Sequence, residues 1–263
     1  MLARQRQLAV VDLVAKQGAV RVADLVEIFG VSDMTVRRDL EVLAERGLIA
    51  KVHGGATSVE MGSTEEPGFA TKSGRQAAEK DAIACCAAGL VRPGSAVALS
   101  AGTTTWTLAG HLVDVPGLTV VTNSIPVADV FHRVGRADQT VVLVGGVRTP
   151  SDALVGPVAV ASLEHLNVDV LFLGVHGMSV RAGFTTPNLL EAESNRALVR
   201  AARKLVVVAD HTKWGVIGIS TIARLSEADT LVVDSGLSEG VQGELADHVG
   251  ELVVVRPSND TAE

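Results

Sequence analysis

The sequence predicts an α/β protein in which a small, mainly helical N-terminal domain precedes a larger domain built on a doubly wound parallel sheet. Three observations predict this organisation. Short helical patterns fill the first 57 residues, an aperiodic segment rich in Gly, Ser, Thr and Glu follows, and β-branched apolar runs then alternate with helical patterns. We expect a first domain at 1–57, a linker at 58–74, a second domain at 75–256 and a flexible tail at 257–263.

The N-terminal domain opens with two helical patterns. One runs from Arg4 to Lys16 and is followed by Gly18, and the other runs from Val22 to Phe29 and is followed by Gly30. Glycine adopts the left-handed conformation that ends a helix at little cost, so both patterns have a natural end.

A third helical pattern starts at Ser32, whose hydroxyl can accept an unpaired N–H of the first turn. The spacing of Val36, Leu40 and Leu43 predicts one buried helix face, and Gly47 supplies the end of the helix. The same spacing turns outward Met34, Arg37, Arg38 and Glu41, with Thr35 on the flank. Strand-like residues from Leu48 to His53 and a turn at Gly54-Gly55 then predict a two-stranded wing.

Two short helices in succession, the second with exposed basic residues, are typical of a helix-turn-helix, and the hairpin makes it a winged one. Adjacent arginines on a helix are often only a solvated surface, but the preceding helices favour binding to double-stranded DNA. Arg can pair with guanine through two hydrogen bonds, and Thr can reach phosphate or a base edge. The expected DNA contacts are Ser32, Thr35, Arg37 and Arg38 on the helix, with Lys51 and His53 on the wing.

The net charge of −7 is divided unevenly, with +1 over residues 1–57 and −8 over the remainder. This distribution fits a protein that binds DNA through a local patch and through the symmetry of a dimer. It excludes a protein that coats nucleic acid without selectivity.

Two motifs in this domain are specific. They are VADLVEIFGVSDMTVRRDL at 22–40 and L..RG.I..VHGGA ending at Ala56. Through them, residues 4–57 resemble the N-terminal domain of the DeoR family of bacterial transcriptional regulators.

The second domain contains apolar runs that read as buried parallel strands, separated by helical patterns. The strands are expected at Ala96–Leu99, Leu118–Thr122, Thr140–Val144, Val168–Gly174, Lys204–Ala209, Thr230–Val233 and Glu251–Val255. The helices are expected near 75–90, 104–113, 124–134, 157–166, 191–203 and 239–248. In such a sheet, ligands bind beyond the carboxyl ends of the strands.

Polar residues and glycines follow five of these strands. They are Ser100, Gly102, Thr103, Thr104 and Thr105; Thr122, Asn123 and Ser124; Gly145 and Gly146; Gly174–Gly177; and Asp210 with Lys213. Threonine hydroxyls and the N–H groups that begin a helix can cradle an anion, and Lys adds an ammonium. Each stretch alone could be an ordinary capped turn, and Asp210 and Lys213 could form a structural ion pair. Together they predict a pocket for a small anionic ligand rich in hydroxyls, such as a sugar phosphate.

Residues 75–234 also resemble the DeoR-type sensor domain, which is related in fold to ribose-5-phosphate isomerase and receives phosphorylated sugars. The matching residues are Gly102–Thr105, Val121–Ser124, Gly145-Gly146, Gly183–Thr186 with Asn188 and Glu191-Ala192, and Ala209-Asp210 with Lys213. The resemblance adds Glu191 to the expected effector-binding residues. This chain departs from the family at Ser100, where Asp is usual, at His211-Thr212, and at Trp214. An altered effector or affinity is expected from Ser100.

The resemblance implies a transcriptional regulator, most readily a repressor, that works as a dimer or larger homo-oligomer and responds to a phosphorylated sugar. One alternative is a sugar-phosphate isomerase with an appended helix-turn-helix, in which Glu191, Asp210 and Lys213 would act. Another is a second domain that serves only for dimerisation. Ser100 disfavours catalysis because it replaces the carboxylate expected in the first loop.

The histidines, the cysteines and the apolar runs of the sequence indicate no other class of protein. No two of the histidines have metal-ligand spacing, so we expect no metal, and no motif calls for a cofactor or catalytic residue. Cys85 and Cys86 are neighbours in an apolar helical pattern and are expected to be buried thiols in a reducing cytoplasm. No apolar run is long enough to predict a membrane-spanning helix or a secretory signal.

Overall fold

The computed structural model describes residues 3–17, 19–45, 48–52, 54–57, 64 and 68–257, apart from the side chains of residues 12 and 15–17. Contacts between residues divide the chain into two compact units, Met1–Gly62 and Ser63–Glu263. Each unit is described by itself below.

The first unit has the predicted winged helix-turn-helix elements. Its helices are α1 (Ala3–Gln17), α2 (Val22–Phe29) and α3 (Asp33–Glu45), and its strands are β1 (Ala19–Arg21), β2 (Ala50–Val52) and β3 (Gly55–Thr57). The strands form an antiparallel sheet in the order β1-β3-β2. Strand β1 was not predicted, because three residues are too few to show a periodicity. Gly30 ends α2 in the left-handed conformation, with φ 62°, whereas Gly18, Gly47 and His53 lie outside the described residues.

The core of the first unit contains the predicted face of α3. Val36, Leu40 and Leu43 are buried against Leu25 of α2 and Val10 of α1. The helix start is also as predicted, because the backbone N–H of Thr35 donates to the Ser32 hydroxyl at 3.3 Å.

In the second unit, every predicted strand and helix has a counterpart within a few residues. The strands are β4 (Ala96–Leu99), β5 (Thr119–Thr122), β6 (Thr140–Leu143), β7 (Val147–Arg148), β8 (Leu154–Val155), β9 (Val170–Gly174), β10 (Gly177–Ser179), β11 (Gly183–Thr186), β12 (Leu205–Ala209), β13 (Ser220–Ala223), β14 (Thr230–Asp234) and β15 (Leu252–Val255). The helices are α4 (Phe69–Ser73), α5 (Ala77–Ala88), α6 (Thr103–Leu112), α7 (Ile125–Val134), α8 (Pro157–Leu163), α9 (Leu189–Ala201) and α10 (Glu239–Ala246).

The main sheet, taken over the described residues, has seven parallel strands in the order β15-β14-β12-β9-β4-β5-β6. The chain starts at β4, builds outward through β5 and β6, and then returns to β9 to build the other half. The order therefore reverses between β4 and β9. A reversal of this kind opens a crevice at the carboxyl ends of the two strands.

Smaller elements surround this crevice. Strands β10, β11 and β13 form a separate antiparallel sheet, and β7 pairs with β8. Helix α4 lies inside the segment predicted as linker, and it packs on α6 through an edge-to-face contact of Phe69 with Trp106, with ring centroids 5.8 Å apart. Residues 69–73 thus belong to the second unit, while the bounds predicted for the remaining linker stay a prediction.

The expectation of two buried thiols is wrong for Cys85, which is exposed, while Cys86 is half-buried. Helix α5 turns Ile83, Ala84 and Ala87 into the core, so Cys85 falls on the opposite side. Across the part of the chain that the structure describes, no helix combines the length and apolar character needed to cross a bilayer.

Candidate functional site

The outer side of α3 carries the side chains predicted to contact DNA. Arg37 and Arg38 are exposed, and Met34 is 79% exposed. The hydroxyls of Ser32 and Thr35 lie 2.8 Å apart at the start of the helix. Together with Arg38 these two residues line a groove of about 500 Å³ between α1 and α3.

Two of the predicted basic contacts are held by neighbouring carboxylates. Arg37 Nε donates to Asp33 at 2.5 Å, and Lys51 Nζ donates to Glu41 at 2.7 Å. The hydrogen bond from Arg37 to Asp33 is the main cause that raises the arginine pKa, and the one from Lys51 is the main cause that lowers the Glu41 pKa. Exposed pairs of this kind contribute little to stability, so a phosphate can replace the carboxylate. Among the described residues, Arg38 has no ion-pair partner.

A buried ion pair fixes α3 against α1. Arg6 Nε donates to Asp39 Oδ2 at 2.5 Å, and Gln7 Nε2 donates to Asp39 Oδ1 at 2.9 Å. Both charged residues are buried. Asp39 follows directly after the two exposed arginines, so this pair holds α3, which carries the predicted DNA contacts, against α1.

In the second unit, a cavity of about 60 Å³ lies at the reversal of strand order. Residues after β4 and after β9 form its floor, the small antiparallel sheet and α9 contribute walls, and α4 contributes Lys72. The predicted residues that line this cavity are Gly102, Thr103, Thr104, Glu191 and Lys213.

The start of α6 presents donors to the cavity. Gly102 precedes the helix, and a Cβ at this position would lie 3.2 Å from the Thr105 hydroxyl. Thr103 and Thr104 line the cavity, and within the described residues neither hydroxyl makes a hydrogen bond. Hydroxyls and N–H groups at a helix start are suited to an anion.

Five predicted residues lie behind the cavity and hold its loops. Ser100 is fully buried, and its Oγ accepts the Gly174 N–H at 3.0 Å, so it joins the ends of β4 and β9. Asn123 Oδ1 accepts the Ala101 N–H at 2.9 Å. The others make similar local bonds: Thr105 donates to the Ser100 carbonyl, Thr122 donates to the Leu99 carbonyl, and Ser124 accepts the Val127 N–H that begins α7.

Gly145, Gly146 and Asp210 do not line the cavity. A Cβ on Gly146 would lie 2.5 Å from the Val155 carbonyl oxygen, so glycine there allows the chain to pass close to β8. Asp210 accepts the backbone N–H of Thr212 at 3.0 Å and also its hydroxyl. In the described structure Asp210 forms no ion pair with Lys213. It shapes the short 3₁₀ turn that brings Lys213 to the cavity.

Several cavity residues were missed by the sequence analysis. They are Lys72, Ser151, Thr186 and Asn195. His176 also lines the cavity and stands in the Gly174–Gly177 stretch that was singled out, but Lys72 was assigned to the linker. Asn195 gave a weak signal only, since it lies one helical turn beyond Glu191 and hence on the same side of α9.

A further lysine lies beside the cavity and is buried. Lys80 is 4% exposed, and its Nζ donates to the Lys72 carbonyl at 2.7 Å. Burial lowers its pKa to about 8, Asp210 opposes this shift, and the positive charges of Lys213 and Lys72 add to it. The site therefore concentrates positive charge.

These two sites define the class of protein: a winged helix-turn-helix joined to an α/β domain with a crevice lined by polar residues. Residues 6–61 match the model of the DeoR-like helix-turn-helix domain, and residues 75–235 match that of the DeoR C terminal sensor domain. The chain belongs to the DeoR family of transcriptional regulators, as its motifs predicted.

Similar proteins cover almost the whole chain. The uncharacterized HTH-type transcriptional regulator YgbI of Escherichia coli is 35% identical over 97% of this chain and 99% of its own length. The transcriptional repressor AccR of Agrobacterium fabrum is 34% identical over 89% of this chain and 90% of its own. Among solved structures, ribose 5-phosphate isomerase A from Methanocaldococcus jannaschii aligns with a TM-score of 0.38 at 15% identity, over 51% of this chain and 53% of that one.

Proposed function

We propose that this regulator binds operator DNA through α3 and its wing, and that a sugar phosphate bound in the cavity of the second unit releases it. The observation that carries the proposal is the group of lysines at the cavity. Lys72 and Lys213 line it, and the buried Lys80 lies close enough to both for their charges to lower its pKa.

A buried ammonium beside two others is unfavourable unless an anion neutralises the group. Among the described groups that act on the Lys80 pKa, Asp210 opposes the effect of burial and of the neighbouring cations. A phosphate carries close to two negative charges at neutral pH and would relieve this repulsion. Cations of the lysine group would then bind the phosphate, while Thr103, Thr104 and Glu191 offer hydrogen bonds to sugar hydroxyls.

The size of the cavity supports a coupling between ligand and conformation. Its volume of about 60 Å³ is well below the ~300 Å³ at which small-molecule sites usually begin. We expect binding of a sugar phosphate to move its loops or α4 apart. A ligand that binds the opened arrangement better shifts the population toward it, and this is the requirement for an allosteric effector.

The test is binding of the full-length protein to a labelled DNA fragment from around its own gene, at fixed salt, with and without a panel of sugar phosphates. The expected result is specific binding that one sugar phosphate abolishes. Arg38→Ala should lose the specific binding, whereas Arg133→Ala, which removes an exposed arginine from α7, should retain it. Footprinting should show paired half-sites, since winged helices of this type read palindromes as dimers.

A second pair of variants tests the role of the lysines at the cavity. Lys213→Ala should bind DNA normally but resist release by the sugar phosphate. Lys204→Ala removes an exposed lysine just before the opposite end of β12 and should respond like the wild type. Conversion of a pentose phosphate by the purified protein, lost in Glu191→Gln, would contradict the proposal in favour of an isomerase. Failure of every sugar phosphate to release the DNA would leave the second unit as a dimerisation domain.

A further inference from the structure

Asn195 has a buried side chain whose amide oxygen is not paired within the fold. It lies on α9 and lines the cavity, and it is 2% exposed. Its Oδ1 atom is enclosed and has no hydrogen-bond partner, the one such buried side-chain atom within the described residues. Buried polar groups are almost always paired, because an unpaired one costs free energy of folding.

The described residues around Asn195 supply no hydrogen-bond partner for its Oδ1 atom. Ala192, Ala197 and Leu198 on α9 are apolar and buried. Glu191 is one turn earlier on the same side of the helix, lines the same cavity, and accepts a hydrogen bond from the Thr186 hydroxyl at 3.1 Å. A carboxylate and an amide thus face one cavity from successive turns of a single helix.

We infer that Asn195 is a specificity-determining residue that binds a hydroxyl group of the effector. This inference rests on the proposed function, and it adds a requirement on the sugar portion of the ligand. An amide both donates and accepts, and so does a hydroxyl, so the pair fits whichever way the amide is turned. Glu191 accepts from a second hydroxyl through the same helix face. The site therefore selects a phosphorylated polyol or sugar over a bare phosphate or an apolar phosphate ester.

The test compares Asn195→Leu with the wild type as full-length proteins. Affinity is measured by calorimetry for the sugar phosphate that releases the DNA and for inorganic phosphate, and Tm is measured without ligand. Leucine has the same number of side-chain heavy atoms, branches at the same carbon and has no polar atom. We expect the affinity for the sugar phosphate to fall by about 10- to 100-fold, as when a buried hydrogen bond to a ligand hydroxyl is lost. The affinity for inorganic phosphate and the DNA affinity should not change, and Tm should rise or stay constant.

Glu193→Leu is the matched control, because Glu193 lies on the exposed side of α9, and it should bind the sugar phosphate like the wild type. If Asn195 instead supports the fold, Asn195→Leu lowers Tm and leaves the affinity ratio between sugar phosphate and inorganic phosphate unchanged, which overturns the inference. If Lys213→Ala loses response to the ligand while Asn195→Leu binds it normally, only this inference fails. If the wild type binds no sugar phosphate, the inference and the proposed function fail together.

Discussion

At the residue scale, His211 links the loop that carries Lys213 to the end of β14. Its ring Nδ1 and its backbone N–H each lie 2.7 Å from a carboxylate oxygen of Asp234. The hydrogen bond to Asp234 raises the His211 pKa, burial opposes this, and the charges of Asp234, Asp210 and Glu79 raise it further. Burial alone would raise the Asp234 pKa, but hydrogen bonds from His211 and Gly236 outweigh it and keep the pKa low.

The raised pKa of His211 predicts a pH dependence of stability. Its protonated form is favoured in the folded state, so its contribution is complete below the unfolded pKa of ~6.5 and is lost as pH rises through the folded value. The free energy of unfolding should therefore fall as pH rises from about 6.5 toward the titration of Lys80 near pH 8, by about 1 kcal/mol for one hydrogen bond. Urea unfolding across this range measures it.

His211→Gln should flatten this pH dependence, whereas His132→Gln, which changes an exposed histidine on α7, should leave it intact. An unchanged slope in His211→Gln would contradict the assignment. The pH range of this measurement must end near pH 8, because Lys80 titrates there in the folded state. Above that pH, the titration of Lys80 makes the free energy of unfolding rise with pH.

A position just after a strand does not by itself show whether a polar side chain lines the cavity. Gly102, Thr103 and Lys213 line the cavity, as expected for residues that follow the carboxyl ends of parallel strands. Ser100 and Asn123 follow strands just as closely, yet their side chains turn back to bond Gly174 and Ala101. Short polar side chains near free backbone groups satisfy those groups first. The replacement of the usual Asp by Ser100 thus removes a charge without placing a new hydroxyl in the cavity.

At the element scale, the packing of α3 on α1 decides how the DNA-facing side chains are presented. Arg6 and Asp39 form their pair in the buried interface between these helices. Breaking a buried pair leaves a charge without a partner, which is costly, while replacing both partners with apolar residues is often neutral.

A double-mutant cycle tests whether the Arg6–Asp39 pair couples α1 to α3. Asp39→Leu alone should lower the stability of the first unit by about 3 to 5 kcal/mol, and adding Arg6→Met should restore most of it. Arg37→Ala, which breaks the exposed pair with Asp33, serves as the control and should leave stability unchanged. Thermal unfolding of the wild type, of Asp39→Leu and Arg6→Met alone and of the double variant measures the coupling. Additive losses in the double variant would show that the pair does not couple the two helices.

At the scale of the whole molecule, the two units have separate cores. The cluster around Leu25 and Leu40 contains residues of the first unit only, and the clusters on either side of the main sheet contain residues of the second. All the described residues that line the cavity proposed for the effector, from Lys72 to Ile222, also belong to the second unit.

This division predicts that residues 63–263 bind the effector without the first unit. Calorimetry should give a dissociation constant within about twofold of that of the full chain, while DNA binding is lost entirely. A folded fragment, verified by circular dichroism, that binds the ligand far more weakly would contradict this prediction. The full chain should retain a salt-dependent DNA affinity, because the phosphate contacts proposed for α3 and the wing would release counterions.

The sequence by itself determined the order of a helix-turn-helix followed by an α/β domain, the strands of the main sheet with most of the helices, the buried face of α3 and the family. These follow from hydrophobic periodicity, helix-ending glycines and local motifs, all of which act between residues close in the chain. Only the tertiary structure decided which polar residues meet. Lys72, Lys80, Asn195 and Lys213 come from four separate segments, and Arg6 meets Asp39 across 33 residues. Their pairing, burial and charge depend on how the strands are ordered and how the helices pack, and no local pattern encodes those distances.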